Sequence, residues 1–130
     1  MVSATALARA TRAIELAGLE SRRNVIAGAS SHGEQRQLEI AMTLATEPQV
    51  LLLDEPLAGM GVAEAERMVE LLLKLKKDHA MLLVEHDMDL VMDVCDHLVV
   101  MEFGTLLTQG TPAEIQASPA VRAAYLGTEH

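Results

Sequence analysis

Apolar residues follow two patterns along the chain, one with helical spacing and one of short, unbroken aliphatic runs. The first segment carries apolar residues at helical intervals, which predicts a helix that ends before Gly18. The apolar face of that helix is Leu7, Ala10, Ile14 and Ala17. Residues 20–29 contain Gly and many polar side chains, so they are predicted to form a loop.

A second helix is predicted where Ser31 is followed three residues later by Glu34. This spacing is typical of a capping box, in which each side chain accepts a hydrogen bond from the other residue's backbone N–H. Pro48 lies just beyond the expected end of the helix. The apolar face expected for this helix is Leu38, Ala41, Met42 and Ala45.

Aliphatic runs predict three strands, at residues 50–53, 81–84 and 98–101. The first run has no polar alternation, which is the pattern of a strand buried on both faces of a parallel sheet. Helices are predicted between the strands, at residues 62–77 and 88–94. Strand, helix, strand, helix, strand at this spacing predicts an α/β fold with a parallel sheet.

The last part of the chain is predicted to contain a β-hairpin and two short helices. A turn at residues 102–104 leads into a fourth strand at residues 105–108. A capping box at Thr111 and a Ser-Pro pair at residues 118–119 begin the two helices, the second of which ends near Gly127.

Titratable residues directly follow two of the predicted strands. Asp54 and Glu55 end the first strand, and His86 follows the second. In open α/β sheets, ligands bind beyond the carboxyl ends of the strands, so these residues lie on the edge where a site is expected. An Asp at a rigid strand end can hold Mg²⁺, and a neighbouring Glu can orient and polarise an attacking water. The same pattern also fits solvated acids before a Pro turn, with a surface histidine.

The helix that begins at Ser31 also allows two interpretations. Ser31 and Glu34 fit a simple helix start, because capping boxes are frequent. Alternatively, the N–H groups of the helix N-terminus, the Ser31 hydroxyl and the nearby Gly33 can bind a phosphate. A glycine suits this second role because it lets the backbone approach a ligand closely.

Composition narrows the possible partners. The formal net charge of −9 disfavours nucleic-acid binding and a polybasic membrane-surface patch, because both depend on Lys and Arg. The single cysteine, Cys95, excludes a disulfide within these residues. No apolar run approaches the ~20 residues that span a bilayer, so we expect any link to a membrane to go through another protein.

Taken in order, these motifs resemble those of the ATP-binding cassettes of ABC transporters. Residues 30–36, Ser-Ser-His-Gly-Glu-Gln-Arg, are similar to the family's signature motif, and residues 50–55 resemble its Walker B motif. Residues 58–61 stand in the place of the D-loop, and His86 matches the switch histidine. The resemblance covers nearly the whole chain.

Within that family, the chain is most similar to the branched-chain amino acid uptake group. The segments that carry this likeness are residues 33–41, 55–60 and 124–127. The resemblance implies a partial, P-loop NTPase-like α/β cassette with a C-terminal hairpin and short helices. Its implied parts are a helical-subdomain remnant with the signature helix (1–46), catalytic-core strands and helices (47–110) and C-terminal helices (111–130).

The resemblance implies an ATP-hydrolysing subunit in which two cassettes bury two ATP molecules between them. Asp54 would serve Mg²⁺, Glu55 would be the general base, and His86 would sense the γ-phosphate. Four further residues would contact the nucleotide, namely Ser31, Gly33, Glu34 and Gly59. The implied partners are a second cassette subunit and transmembrane permease subunits, without nucleic acid. The implied location is cytoplasmic, at the inner face of the cell membrane.

Several positions depart from the family pattern. Ser30 stands where the signature motif has a Leu, His32 and Glu34 where it has Gly and Gln, and Gly61 where the D-loop has an Asp. The 130 residues contain no G-x-x-x-x-G-K-S/T phosphate-binding loop, and nothing in them matches the glutamine loop or the adenine-stacking aromatic. We therefore expect the C-terminal part of a cassette, beginning within the helical subdomain and without ATPase activity by itself.

Other functions stay open on the sequence alone. A cassette that serves uptake of urea or short amides has similar motifs. A non-catalytic, truncated interaction module would expose aliphatic sheet faces and edges. An ABC-type ATPase of DNA repair or chromosome organisation shares the signature and Walker B motifs, but this chain has no sustained heptads and its acidity disfavours DNA.

Overall fold

The computed structural model describes residues 2–126 of the chain. The chain divides into two compact units, with the boundary between Val84 and Glu85. This division does not correspond to the predicted parts 1–46, 47–110 and 111–130, which stay a prediction.

The first unit contains three helices and two strands. Its elements are α1 (Ala4–Leu16), α2 (His32–Leu44), β1 (Val50–Asp54), α3 (Val62–Leu75) and β2 (Ala80–Val84). The Ser3 hydroxyl caps α1, and Gly18 follows that helix with a φ of 73°, as its sequence position predicts. The predicted loop at residues 20–29 contains two short 3₁₀ turns, Glu20–Arg22 and Ala27–Ala29.

β1 and β2 form a parallel pair, which confirms the predicted α/β character of this unit. The register runs from Val50 opposite Ala80 to Asp54 opposite Val84. Parallel strands need a crossover connection, and α3 provides it. The acidic end of β1 is therefore fixed beside the end of β2.

The core of the first unit is aliphatic. Leu51 of β1 is fully buried, and each of the three helices also contributes buried apolar side chains. The members of this core are Ala13, Ala17, Leu19, Ile40, Ala41, Leu44, Leu51, Met68, Leu71, Leu72 and Leu75. Burial of this apolar surface is the main term that holds the helices against the strand.

The prediction that β1 is buried on both faces is wrong for this structure. Leu51 is 0% exposed, whereas Leu52 is 71% exposed and Val50 is 53% exposed. Leu82 and Val84 of β2 are also exposed and share that open face. Successive strand residues point to opposite faces, and the helices of this unit cover only the face that carries Leu51.

The predicted face of α2 is also partly wrong. Ala41 is buried as expected, but Met42 is 67% exposed. The residues that α2 buries in addition are Gly33, Ile40 and Leu44. Leu7 of α1 is likewise 58% exposed, because the buried side of α1 is centred on Ala13.

The second unit contains a β-hairpin and short helices. Its elements are α4 (Met88–Val94), β3 (Leu98–Glu102), β4 (Thr105–Gly110), α5 (Pro112–Gln116), α6 (Pro119–Val121) and a π-helical segment (Arg122–Leu126). Leu98, Ile115 and Val121 form its buried cluster. The predicted helix end near Gly127 lies outside the described residues.

The hairpin is confirmed, but β3 does not extend the parallel sheet. β3 pairs antiparallel with β4, and Glu102 lies opposite Thr105 across a two-residue turn. Both turn residues, Phe103 and Gly104, have positive φ, as the tight turn that matches the twist of a hairpin requires. A two-residue loop costs little entropy to close, so β3 forms its strand hydrogen bonds with β4, its neighbour along the chain.

No helix within residues 2–126 combines the length and apolar character needed to cross a membrane.

We predict that the two leucines at the centre of β1 differ sharply in their contribution to stability. Leu51→Ala should lower the free energy of unfolding by about 2–5 kcal/mol, because it leaves a cavity in the core. Leu52→Ala, on the open face of the same strand, should change it by less than about 0.5 kcal/mol. Urea unfolding followed by circular dichroism measures both, and equal losses would contradict the one-sided burial of β1.

Candidate functional site

The N-terminus of α2 contains the capping box that the sequence predicts. The Ser31 hydroxyl accepts a hydrogen bond from the Glu34 N–H at 3.2 Å, and the Glu34 carboxylate accepts one from the Ser31 N–H at 3.0 Å. Two of the N–H groups that a helix N-terminus leaves without helical partners are satisfied within the turn. The predicted capping box is confirmed.

Arg22 forms a salt bridge with the Glu34 carboxylate. Nε of Arg22 lies 3.0 Å from Oε1 of Glu34, and Nη2 lies 3.3 Å from Oε2. Two parallel contacts between a guanidinium and a carboxylate fix orientation better than one. The carboxylate of Glu34 therefore shapes the turn, and its contact with nucleotide stays a prediction.

A carboxylate from α3 lies against the next position of this turn. Gly33 is buried, and its N–H donates to Oε1 of Glu64 at 3.2 Å. A Cβ at position 33 would lie 2.9 Å from the Glu64 carboxyl group, so a larger residue there would displace that side chain. Gly33 is among the residues predicted from the sequence, but Glu64 is not, because a single Glu in a predicted helix gives no signal of a tertiary contact.

The turn changes the acidity of Glu64. The hydrogen bond from the Gly33 N–H is the main cause that lowers the pKa of Glu64, because it stabilises the charged carboxylate. Loss of contact with water opposes this effect. Hydrogen bonds from the Ser31 side chain and the Gly61 backbone, together with the charge of His32, lower the pKa further.

His32 joins the same turn to the loop that follows β1. Nε2 of His32 lies 3.0 Å from the carbonyl oxygen of Ala58, so this nitrogen carries the proton and donates it. Gly59 has a φ of 75°, and a Cβ there would lie 3.1 Å from Nε2 of His32. Both the backbone conformation and the available space therefore favour glycine at this position. Gly59, predicted to contact nucleotide, thus lies beside the turn that contains Ser31 and Gly33.

Asp54 and Glu55 lie where β1 ends. Asp54 is the last residue of the strand and is exposed, and the Glu55 N–H donates to the carbonyl oxygen of Val84 at 2.7 Å. Glu55 has a φ of 45°, in the left-handed region, which costs a non-glycine residue roughly 1–2 kcal/mol. This turn, followed by the buried Pro56, redirects the chain at the strand end.

The donor chemistry at the end of β1 fits Mg²⁺. This ion takes oxygen ligands, retains several waters and commonly uses only one or two protein carboxylates. Asp54 offers an exposed carboxylate on a backbone that strand pairing fixes. Asp54 as the metal ligand and Glu55 as the general base stay predictions.

His86 belongs to the second unit, where acids flank it. The backbone N–H of His86 donates to Oε1 of Glu85 at 3.0 Å, and the ring Nδ1 of His86 lies 3.5 Å from the same oxygen. The His86 side chain is 76% exposed, whereas that of Glu85 is 2% exposed. Asp87 caps α4 by accepting a hydrogen bond from Leu90. The contact of Glu85 with His86 is not among the sequence predictions, although an acid directly before the histidine is a usable signal.

Comparisons with known proteins agree with these motifs. The family model described as "ABC transporter" matches residues 4–58, and the one described as "Branched-chain amino acid ATP-binding cassette transporter" matches residues 105–130. The high-affinity branched-chain amino acid transport ATP-binding protein LivG of Salmonella typhimurium is 44% identical over 94% of this chain. The chain belongs to the ABC transporter ATP-binding family. This resemblance, expected from the order of the motifs, is confirmed.

Other relatives support the same family and fold for this chain. BraF of Pseudomonas aeruginosa, named as a branched-chain amino acid transport ATP-binding protein, is 44% identical over 88% of the chain and 46% of its own length. The ADP conformation of MJ1267, an ATP-binding cassette of an ABC transporter, superposes with a TM-score of 0.86 at 28% identity, over 98% of this chain and 52% of that one. The match covers 49% of LivG, so the chain spans about half the length of the curated relatives it matches.

We predict that Glu64 accounts for part of the acid sensitivity of this chain. Its pKa is lower in the folded chain than in the unfolded chain, so its contribution to stability is present above the unfolded value, near about pH 4, and is lost as the pH falls through the folded value. Glu64→Gln should therefore lose less unfolding free energy than the wild type between about pH 6 and about pH 3. Urea unfolding at both pH values measures the difference.

Glu66→Gln is the matched control, since Glu66 is exposed on the same helix. It should lose as much stability on acidification as the wild type. If Glu64→Gln loses as much stability on acidification as this control, the Gly33 turn does not lower the pKa of the Glu64 carboxylate.

Proposed function

We propose that this chain is the C-terminal part of the ATP-binding, ATP-hydrolysing subunit of an ABC importer for branched-chain or other hydrophobic amino acids. The names of LivG and BraF support this substrate class. The observation that carries the proposal is the geometry at α2, where Ser31 and Gly33 form a capped turn beside Gly59. β1, which pairs with β2 and ends in Asp54, follows α2 along the chain.

The proposed roles follow the chemistry of each residue. Ser31 and Gly33 present a hydroxyl and the donor-rich start of a helix, which suits the γ-phosphate of an ATP held mainly by a partner cassette. Asp54 would hold Mg²⁺, which neutralises the phosphate charge. Glu55 would accept a proton from the attacking water, and the exposed ring of His86 would contact the γ-phosphate.

The proposed partners are a second cassette subunit and transmembrane permease subunits. This arrangement would place the chain on the cytoplasmic face of the membrane. The 130 residues contain no phosphate-binding loop, so we propose that a polypeptide of these residues alone does not hydrolyse ATP.

A chimera tests this function. We predict that joining the segment of LivG outside the matched region to this chain gives a cassette with measurable ATPase activity. Glu55→Gln should then lower kcat at least about 100-fold, because the general base is lost. Glu66→Gln removes an exposed acid from α3 and should leave kcat unchanged.

Turnover by the 130-residue chain alone would contradict its proposed inactivity, and unchanged turnover in Glu55→Gln would exclude Glu55 as the base. The substrate class is tested by uptake of radiolabelled leucine in cells that lack their own LivG and express the chimera. Uptake of urea or a short amide, but not of leucine, would favour that related type of cassette instead.

The open face of the β1–β2 pair favours a second candidate, a non-catalytic interaction module. Leu52 and Leu82 lie opposite each other in the parallel register, and they are 71% and 60% exposed. Val50 and Val84 extend the same apolar face. Exposed aliphatic surface of this kind drives association.

We predict that this face causes concentration-dependent self-association of the 130-residue chain. The double substitution Leu52→Thr and Leu82→Thr should shift the mass measured by size-exclusion chromatography with light scattering toward that of the monomer, because it removes paired apolar side chains. Leu7→Thr, which changes an exposed leucine of α1, is the control and should leave the mass unchanged. A monomeric wild-type chain at all concentrations would contradict the interaction module.

A further inference from the structure

One group that the proposed function assigns to the γ-phosphate, the Gly33 N–H, is already bonded to an internal carboxylate. The Gly33 N–H donates to Oε1 of Glu64 at 3.2 Å. A carboxylate and a phosphate oxygen compete for the same donors, because both are anionic acceptors that helix N-termini favour.

The surroundings of Glu64 suit an anion. A cleft of about 210 Å³ in the first unit is lined by Ser31, Gly33 and Glu64. Two arginines, Arg22 and Arg67, also line it, together with Glu34, which pairs with Arg22. Glu64 is the acid that enters the turn from outside α2, since Glu34 belongs to the capping box. The contact of Glu64 is made by the end of a side chain with rotatable bonds, so it can be exchanged without moving the helix backbone.

We propose that Glu64 is an autoinhibitory ligand of the signature turn, which occupies the Gly33 N–H until the γ-phosphate of ATP on a partner cassette displaces it. This inference rests on the proposed function and adds a regulatory step to it. The carboxylate is tethered to α3, so it meets the turn at a high effective concentration. Free anions in solution are at a lower concentration than this, so the carboxylate keeps them from the Gly33 N–H. A phosphate presented by a docked partner cassette reaches a similar effective concentration and competes with the carboxylate.

This arrangement distinguishes ATP from ADP when two cassettes pair. Displacing the carboxylate requires an acceptor at the position of the γ-phosphate, which ADP lacks. Once released, Glu64 adds a negative charge near the nucleotide, which favours return of the carboxylate when the γ-phosphate leaves. Glu64 is thus a regulatory residue, distinct from the proposed general base Glu55.

The proposal is tested on the full 130-residue chain with tripolyphosphate as the probe. The amide signal of Gly33 is followed by NMR at constant ionic strength for the wild type and three variants. Glu64→Ala should bind tripolyphosphate about three- to fivefold more tightly than the wild type, the size of effect expected for one charge near a helix N-terminus. Glu64→Gln should lie between them, since its amide oxygen still accepts from Gly33 but carries no charge.

Glu66→Ala is the matched control, because it removes the same charge from an exposed position on α3. It should bind tripolyphosphate like the wild type. Equal tightening in Glu64→Ala and Glu66→Ala, no tightening in Glu64→Ala, or no response of Gly33 in any variant would each overturn the proposal. If Glu64→Ala disturbs the fold of α2, tightening in Glu64→Gln decides the question.

Failure of this inference is distinct from failure of the proposed function. Gly33 can be indifferent to Glu64 while the chimera hydrolyses ATP with Glu55 as base, which would remove the autoinhibitory step alone. Conversely, tripolyphosphate can bind more tightly to Glu64→Ala while the chimera shows no Glu55-dependent turnover, which would remove the ATPase function and leave the competition intact.

Discussion

The N–H groups at the start of α2 need acceptors, and the way in which they obtain them organises the first unit. Glu34 and Ser31 satisfy two of these groups within the turn, and Glu64 reaches across from α3 to accept the third, from Gly33. His32 adds a hydrogen bond to the loop after β1. A helix start, a neighbouring helix and a loop are therefore held together by a few short polar contacts at one place.

The end of β1 depends on a different constraint, the pairing of parallel strands. The hydrogen bond from the Glu55 N–H to Val84 extends the β1–β2 ladder by one residue, and the left-handed conformation of Glu55 then turns the chain. Strain of this kind persists where the surrounding structure fixes it, and it is frequent at functional sites. Asp54 and Glu55 are thus presented by a rigid strand end, which suits their proposed roles.

The β1–β2 pair keeps one apolar face open. The match covers about half of LivG, and the Leu52 and Leu82 side chains remain exposed in the first unit. The turn at Gly33 is complete within these residues, and its proposed contact is with a nucleotide on a partner cassette.

Much of this architecture could be predicted from the sequence, because local signals determine it. Capping residues, glycines and aliphatic runs predicted the helices, the strands and the hairpin, and the order of the motifs indicated the family, as the comparisons confirm. Only the tertiary structure decided which face of each element is buried, as Met42 and Leu52 demonstrate. The same holds for Glu64, since its contact with Gly33 joins residues that lie 31 positions apart. Burial and long-range hydrogen bonds depend on how elements pack, and neither local spacing nor residue type specifies that packing.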